Sequence, residues 1–389
     1  MLLPRILFGA LTLAVFAGAN VFVYRRTVRD TVHSPWVRRL MAFGLGLLLL
    51  SVPAVRFAFH DTMPPPMITT VVLIGWGIFI YTLMALMVVE AGKWVQRRRQ
   101  QRSVPPAPVA ENPERRLFLS RVAAGGALTV GSSVAAFGSW RAFNPPEVTE
   151  VPIRLVGLPK ALDGFTIVQL SDIHVGAIIQ EKFLDQLVAT ANAAKPDLVA
   201  ITGDLVDGTP AALGRYVARL RNLQSRFGTH FVSGNHDYYS GWETWARELE
   251  GLDFEVLRNR TVTIGDPGAS FDLIGVDDWG ARWSPNGYDL EAATLGRDPY
   301  RASVLLAHQP TGIEGAALKN IGLQLSGHTH GGQMFPGNLV GDVIWGNRNA
   351  GLSQVDSTYL YTSRGCGFVG PPLRVGAPPE VVKLVLIAA

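Results

Sequence analysis

Three long apolar runs near the N-terminus constrain this chain more than any other feature. Ile6–Tyr24 and Met67–Val89 carry no charged residue, and Leu40–Phe59 carries only Arg56, close to its end. A helix needs about 20 predominantly apolar residues to cross the hydrocarbon core of a bilayer. One such run could be a buried core helix, but three in succession indicate a membrane anchor. Residues 1–96 are therefore predicted to form a three-helix transmembrane anchor.

Charge is divided unevenly between the two halves of the 389-residue chain. The first 146 residues hold 16 Lys and Arg against 5 Asp and Glu, a balance of +11. Residues 147–389 hold 19 against 26, a balance of −7. The basic excess thus belongs to the apolar half, where it reports membrane topology, and no nucleic-acid partner is expected. The single cysteine, Cys366, excludes an intrachain disulfide framework and a cysteine-rich zinc module.

A weaker apolar run, Val122–Trp140, follows a basic segment. Residues 97–121 are predicted to be a basic cytoplasmic linker, in which Arg115-Arg116-x-Phe118-Leu119 resembles a twin-arginine export signal. Two interpretations stay open. Residues 122–140 form a fourth transmembrane helix, or they are a signal-like segment that is cleaved or retained.

Basic residues fill the first and third connections between these runs, and the second connection, His60–Pro66, has none. Because cytoplasmic loops are enriched in Lys and Arg, the first and third connections are expected in the cytoplasm. With four crossings, the protein is a multi-pass protein of the plasma (inner) membrane. The domain that follows then lies on the periplasmic or extracellular side. If residues 122–140 do not span, that domain is cytoplasmic.

Residues 147–389 switch to short β-rich runs that alternate with amphipathic helices, which predicts one α/β domain. Lys182–Ala194 and Pro210–Phe227 are predicted helices. The predicted strands are Phe165–Leu170, Leu198–Thr202, His230–Ser233, Phe271–Val276, Val304–Ala307, Gly322–Leu325, Tyr359–Thr362 and Val381–Ile387.

Five of these strands end in polar motifs. Ligands of open α/β sheets bind beyond the carboxyl ends of the strands, so we expect the polar side chains to converge there. Carboxylate, amide and imidazole ligands without a thiolate suit Mn, Fe, Zn or Mg, and their number implies two divalent metal ions. Two such ions can promote in-line attack at phosphorus. The candidate residues are Asp172, His174, Asp204, Asp207, Asn235, His236, His308, His328 and His330.

In this order, the motifs resemble those of the calcineurin-like metallophosphoesterase superfamily over roughly residues 160–387. They are Asp-x-His, Gly-Asp-x-x-Asp-Gly, Gly-Asn-His-Asp, a separate His and Gly-His-Thr-His-Gly-Gly-Gln. The Tyr359–Gly367, Pro371–Arg374 and Pro378-Pro379-Glu380 segments are similar to the membrane-associated YkuE-type branch. The resemblance implies an α/β/β/α metallophosphoesterase sandwich, and the predicted transmembrane helices before it are an addition to the plain family pattern. The expected fold class is therefore N-terminal transmembrane helices followed by an α/β domain.

The resemblance also implies roles for individual residues. His236 would protonate the leaving oxygen or stabilise charge on the phosphoryl group, and Asp207 would orient His236. Asp204 would bridge the two metals. The residues implied to hold one metal are Asp172, His174, Asp204 and His330. Those implied to hold the other are Asp204, Asn235, His308 and His328.

The expected function is that of a membrane-anchored two-metal hydrolase. It would cleave phosphoester bonds, as a phosphodiesterase does, by attack of a metal-bridged hydroxide, on a lipid-linked substrate. The alternatives are a UDP-2,3-diacylglucosamine pyrophosphatase-like enzyme of lipid A synthesis and a non-catalytic metal-binding scaffold. Trp279, Arg282 and Trp283, in a Pro- and Gly-rich loop, are expected to contact the substrate lipid or the membrane. The oligomeric state stays open.

Overall fold

In the computed structural model, the described residues are 2–59, 62–100, 112–284 and 286–389, with side chains described from residue 11 onward. They belong to two units, Met1–Ser139 and Trp140–Ala389. Residues 101–111 of the predicted linker lie outside the described residues, as do residues 60 and 61 of the second connection.

The first unit consists of long helices. They are α1 (Leu2–Tyr24), α2 (Pro35–Ala58), α3 (Pro66–Gln100) and α4 (Pro113–Phe143). Among the described residues, α2, α3 and α4 are long and apolar enough to cross a membrane. Each predicted apolar run falls on one of the four helices. Helix also extends into the described ends of the predicted linker, residues 97–100 and 113–121.

Local sequence explains where α2 begins, and aromatic packing joins the helices. Ser34 caps α2 by accepting a hydrogen bond from the backbone N–H of Val37 at 3.5 Å. In the interior, the Trp76 ring meets Phe16 edge-on at 5.2 Å. An ion pair of 2.7 Å between Arg26 and Glu90 links the π-helical turn after α1 to α3.

The second unit is built on two six-stranded sheets. The first sheet has the order β1-β12-β2-β3-β4-β5 and the second the order β10-β11-β9-β8-β7-β6. Strands β2 to β5 run parallel, and so do β7, β8, β9 and β11. The strands are β1 (Glu147–Leu155), β2 (Phe165–Leu170), β3 (Leu198–Thr202), β4 (Thr229–Val232), β5 (Phe254–Val256), β6 (Arg260–Asp266), β7 (Ala269–Gly275), β8 (Ser303–Leu306), β9 (Leu323–Ser326), β10 (Gly351–Val355), β11 (Thr358–Thr362) and β12 (Glu380–Ala388).

The two sheets face each other across one hydrophobic core. Ile167 and Leu198 of the first sheet belong to the same buried cluster as Leu273 and Val304 of the second. Phe165 meets Phe271 edge-on across this core, with ring centroids 5.2 Å apart. Alternate side chains of a strand point to opposite faces, so each sheet has a second apolar face that needs its own cover.

Helices cover the outer faces. On the first sheet, Trp242 of one helix packs against Phe231 of β4 at 5.8 Å. On the second sheet, Ile313 and Leu290 join a buried cluster with Ile274 and Leu305. The α/β/β/α sandwich is thereby confirmed. The helices of this unit are α5 (Glu181–Ala193), α6 (Pro210–Val217), α7 (Asn235–Tyr239), α8 (Trp242–Glu250), α9 (Leu290–Ala293), α10 (Ile313–Leu318) and α11 (Gly337–Trp345).

All eight predicted strands are present within two residues of their predicted bounds. The four that the sequence did not reveal, β1, β5, β6 and β10, are the four edge strands of the two sheets. Edge strands are partly exposed and therefore lack the continuous apolar run that marks a central strand. The predicted helix Pro210–Phe227 is too long, because α6 ends at Val217, a 3-10 helix continues only to Asn222, and residues 223–227 are not helical. There, Asn192 of α5 binds the backbone of Asn222 and Gln224 and draws the chain out of helical geometry.

Candidate metal centre

The polar motifs meet where the strands of both sheets end. Strands β2, β3 and β4 of the first sheet are parallel, so the loops after them emerge at one edge. The loops after β8 and β9 of the second sheet emerge beside them. The predicted convergence of the five motifs is observed, with contacts between side chains from both sheets.

One cluster joins Asp172, His174 and His330, all of which are buried. The two Nε2 atoms of His174 and His330 lie 3.1 Å apart. His330 Nε2 also lies 3.4 Å from Asp172 Oδ1. Three potential ligand atoms therefore point at one small volume, within 4.8 Å of one another.

A second cluster joins Asp204, His308 and His328. His308 Nε2 lies 3.2 Å from Asp204 Oδ2 and 3.3 Å from His328 Nδ1. The same Asp204 oxygen lies 3.8 Å from Nε2 of His174, which belongs to the first cluster. Asp204 thus stands between the two groups.

Asn235 and His236 begin helix α7, next to Asp204. The backbone N–H of His236 donates to Asp204 Oδ1 at 2.8 Å. The Asn235 side-chain oxygen is buried and has no hydrogen-bond partner among the described residues. Burying an amide oxygen without a hydrogen-bond partner costs free energy, so this oxygen marks a place where a donor or a metal ion could bind.

Asp207 lies between two imidazole rings. Its carboxylate is 2.6 Å from Nδ1 of His236 and 3.1 Å from Nδ1 of His174. His236 is partly exposed, whereas His174 is buried. The bond to Asp207 occupies Nδ1 of His236 and leaves Nε2 as the nitrogen that can face a substrate.

The loops that carry these residues are held in strained backbone geometry. Asp172, Asp204 and His328 have φ values of 53°, 51° and 73°, in the left-handed region that non-glycine residues rarely adopt. Two glycines make the close approach possible, since a Cβ on Gly234 would collide with the Asp204 carboxylate and one on Gly327 with Asp172. Strain of this kind clusters at functional sites, where surrounding structure holds it in place.

Trp279, Arg282 and Trp283, the predicted substrate-contacting residues, belong to none of these clusters, but a hydrogen bond connects their loop to the loop after β8. Arg282 stacks over both rings, with its guanidinium carbon 5.2 Å from the centre of Trp279 and 5.0 Å from that of Trp283. Trp283 is 84% exposed. Buried Asp278 caps this turn through Gly280 N–H, and its carboxylate also accepts from Gln309, which follows His308 in the chain.

Known proteins with similar sequences decide the family. A family model described as calcineurin-like phosphoesterase matches residues 165–332. A Bos taurus protein named "transmembrane protein with metallophosphoesterase domain" is 34% identical over 406 residues, which cover 97% of this chain and 90% of that protein. An uncharacterized metallophosphoesterase of Campylobacter jejuni is 31% identical over 98% of both chains. The uncharacterized metallophosphoesterase YkuE of Bacillus subtilis is 35% identical, over 68% of this chain and 93% of that one.

The chain belongs to the calcineurin-like metallophosphoesterase family. The predicted family and its YkuE-type relative are thereby confirmed, and the protein is a metal-dependent phosphoesterase. The non-catalytic scaffold is set aside.

Burial and neighbouring charge set the protonation of the imidazoles in this metallophosphoesterase. Burial, and then the charge of His308, lowers the pKa of His328 to about 3. Burial, and then the charge of Arg374, lowers the pKa of His330 well below its usual value. Burial opposes the charged form of His308 too, but the Asp204 carboxylate outweighs it and raises the His308 pKa well above its usual value.

Sequence reasoning missed a role for Arg374, which is almost wholly buried. Its guanidinium donates to the backbone oxygens of Gly367 and His330, at 2.9 and 3.1 Å, and lies 3.2 Å from His330 Nδ1. Because arginine has no acceptor atom, Nδ1 of His330 faces a donor and Nε2 is turned towards Asp172. The sequence marked Arg374 only as part of a branch-like segment.

Asp237, the last residue of the Gly-Asn-His-Asp motif, has a structural role that its sequence position does not indicate. Its buried carboxylate accepts hydrogen bonds from four backbone N–H groups, at 2.8 to 3.2 Å. Three belong to the chain at Asp204–Val206, and the fourth belongs to Gly234. Asp237 therefore holds the β3 and β4 loops in register with each other.

Replacing Asp237 with Asn tests this role. An amide offers one acceptor oxygen in place of two and puts an NH₂ group against backbone donors, so buried N–H groups lose their partners. We expect Asp237→Asn to lower the free energy of unfolding by about 2–6 kcal/mol. The measurement is thermal unfolding of the full-length protein in detergent with a chelator present, so that lost metal binding does not contribute. Asp356→Asn, in the exposed turn between β10 and β11, is the matched control, and equal melting of the two variants would contradict the prediction.

Proposed function

We propose that this metallophosphoesterase is a membrane-anchored phosphodiesterase with two divalent metal ions. The observation that carries the proposal is the position of Asp204, whose Oδ2 lies 3.8 Å from a histidine of one cluster and 3.2 Å from a histidine of the other. The residues proposed for one ion are Asp172, His174, Asp204 and His330. Those proposed for the other are Asp204, Asn235, His308 and His328.

The residues present fit metal ions. The unpartnered oxygen of Asn235 needs a ligand, and His328 is held as a neutral imidazole with a lone pair to offer. Positive charge is favoured beside Asp204, as the raised pKa of His308 indicates. Hard oxygen and imidazole ligands suit Mn, Fe, Zn or Mg.

Divalent ions bound in these clusters would supply Lewis acidity towards a phosphoryl oxygen and an attacking water. The chain itself supplies His236, whose ring Asp207 holds through Nδ1 at 2.6 Å. This leaves the Nε2 edge of a partly exposed imidazole to give a proton to the leaving oxygen. Asp207 acts through His236 and is a positioning residue.

Metal-dependent hydrolysis of a soluble chromogenic phosphodiester by the full-length protein tests the proposal. We expect turnover with Mn²⁺, loss of turnover with a chelator, and a fall on the order of 10³-fold in Asp204→Ala, because both clusters lose a shared ligand. Asp266→Ala is the control, because it removes an exposed carboxylate at the end of β6 that belongs to neither cluster. Activity that survives chelation would overturn the two-metal proposal.

Comparison of substrates separates the reaction classes in the same assay. The matching monoester should be hydrolysed more slowly than the diester. If the protein cleaves a nucleoside diphosphate-linked lipid but neither the diester nor the monoester, the phosphodiesterase proposal is wrong. The pyrophosphatase-like alternative then takes its place.

We also propose that the substrate is lipid-linked and that Trp279, Arg282 and Trp283 contact it. The exposure of Trp283 supports this, because a large aromatic side chain stacked on a cation suits the boundary between headgroup and acyl chain. The Asp278–Gln309 hydrogen bond of 3.0 Å ties this loop to the residue after His308.

Removal of the two indoles should separate lipid from soluble substrates. In Trp279→Ala combined with Trp283→Ala, we expect turnover of a phosphodiester lipid dispersed in detergent micelles to fall about tenfold, because contact with the lipid is lost. Turnover of the chromogenic diester should stay within about twofold of the unchanged protein. Trp94→Ala, which removes an exposed indole from α3 in the first unit, is the control. Equal losses on both substrates would refute a lipid-contacting role.

For the topology, we propose that helices α1 to α4 span the membrane and that the second unit, which we call the catalytic unit, lies outside the cytoplasm. Helix α4 is continuous over 31 residues. At 1.5 Å per residue it is about 46 Å long, more than the hydrocarbon core requires. Arg115 and Arg116 lie in its first turns, on the side expected in the cytoplasm.

Protease added to spheroplasts of a bacterial host that makes the full-length protein tests this topology. We expect the catalytic unit to be digested while a cytoplasmic marker protein stays intact, because only an external domain meets the protease. Digestion after lysis is the control for intrinsic sensitivity. Protection in intact spheroplasts would place the domain in the cytoplasm and show that α4 does not span.

A further inference from the structure

Helix α11 presents an apolar surface that the catalytic unit leaves uncovered. None of its nine residues is buried. Leu339, Val340, Val343 and Ile344 are all exposed, Val343 to 86%. Their spacing puts them on one side of the helix, and we call this set the α11 face. Soluble surfaces rarely expose four neighbouring aliphatic side chains without a binding role.

The α11 face is held firmly beside the metal centre. The Asn349 side chain donates to Asp342 of α11 at 2.9 Å. The backbone oxygen of Asn349 accepts from the hydroxyl of Thr329 at 2.6 Å. Thr329 lies between His328 and His330 in the chain. Trp345, the last residue of α11, has its ring centre 5.9 Å from that of His328. Asp342 is the one charged residue in α11, and it lies outside the α11 face, where Asn349 hydrogen-bonds one of its oxygens.

The end of the candidate membrane span α4 packs onto the loop that supports α11. Phe143, the last residue of α4, meets Phe368 edge-on at 5.8 Å within the catalytic unit. The next residue, Val369, exchanges two hydrogen bonds with the side chain of Gln333, at 2.9 and 3.0 Å. Gln333 lies four residues before α11 begins. The segment that leads into α11 is thus connected, through one loop, to the last residue of α4.

We propose that the α11 face inserts into the acyl-chain region of the bilayer that α4 crosses. The face would place the opening of the metal centre at the lipid surface, so that a lipid phosphoester reaches it without leaving the membrane. This substrate route rests on the proposed phosphodiesterase function, whereas contact between α11 and lipid does not. Burial of aliphatic side chains in the acyl region drives such interfacial binding, and the α11 face itself carries no charged residue.

Depth-dependent quenching tests the lipid contact without any need for turnover. Because the native Cys366 is wholly buried, an added cysteine can be labelled selectively. Val343→Cys carries an environment-sensitive fluorophore in the full-length protein, reconstituted in phosphatidylcholine–phosphatidylglycerol vesicles that contain doxyl-labelled phosphatidylcholine. Leu318→Cys, 84% exposed at the end of α10, is the matched control.

We expect lipid quenching at position 343 to exceed that at position 318 by about threefold or more. Quenching no greater than at position 318 would overturn the proposal. A blue-shifted emission at 343 without lipid quenching would also overturn it, because a second copy or another protein would then cover the α11 face.

A pair of double variants tests the consequence for catalysis. In Val343→Ser with Ile344→Ser, turnover of a phosphodiester lipid in vesicles should fall about tenfold, with soluble diester turnover within about twofold. Leu295→Ser, in the exposed turn after α9, combined with Leu318→Ser, at the exposed end of α10, should change neither rate. Equal loss on both substrates would overturn the route. If the unchanged protein cleaves no phosphodiester, the phosphodiesterase proposal fails while the quenching result still decides the lipid contact.

Discussion

The site depends on burying several carboxylates together. Asp172, Asp204 and Asp237 are each at most 2% exposed, and taking a charge out of water is costly unless it is paired or strongly hydrogen-bonded. Asp237 is satisfied by four backbone N–H groups, whereas Asp204 receives one N–H and otherwise faces imidazoles. The chain therefore provides part of the compensation and leaves the rest to cations. Metal binding and the stability of these loops are coupled for that reason.

Most of this site could be predicted from the sequence because each motif follows its own strand directly. A strand such as β3 fixes where Asp204 emerges, and parallel pairing brings neighbouring strand ends to one edge. The four edge strands could not be predicted, since their residues alternate between exposure and burial without an apolar run. The contacts of Asp237 and Arg374 also could not be predicted. They are bonds to backbone groups of distant loops, and residue type alone does not indicate them.

Support for the metal centre extends well past its last ligand. The family match ends at residue 332, yet Arg374 contacts His330, and strand β12 lies between β1 and β2. At the start of β12, buried Glu380 accepts from the backbone N–H of Arg364 at 2.9 Å and from Thr149 of β1 at 2.9 Å. The C-terminal segment is thus a structural part of the site. The candidate ligand His330 is oriented by Arg374, which lies 44 residues later in the chain.

The attachment of the catalytic unit to α4 bears on what the enzyme can reach. Only three residues separate Phe143 from Glu147 at the start of β1, a link of about 14 Å at full extension. Its ends are also fixed, by the Phe143–Phe368 contact and by an ion pair of 2.7 Å between Arg141 and Glu147. A link this short and this well held leaves little freedom between the last residue of α4 and the first strand of the α/β unit. A lipid substrate of the kind proposed would lie in the membrane that α4 is proposed to cross, and it would meet an enzyme anchored there by diffusion in two dimensions.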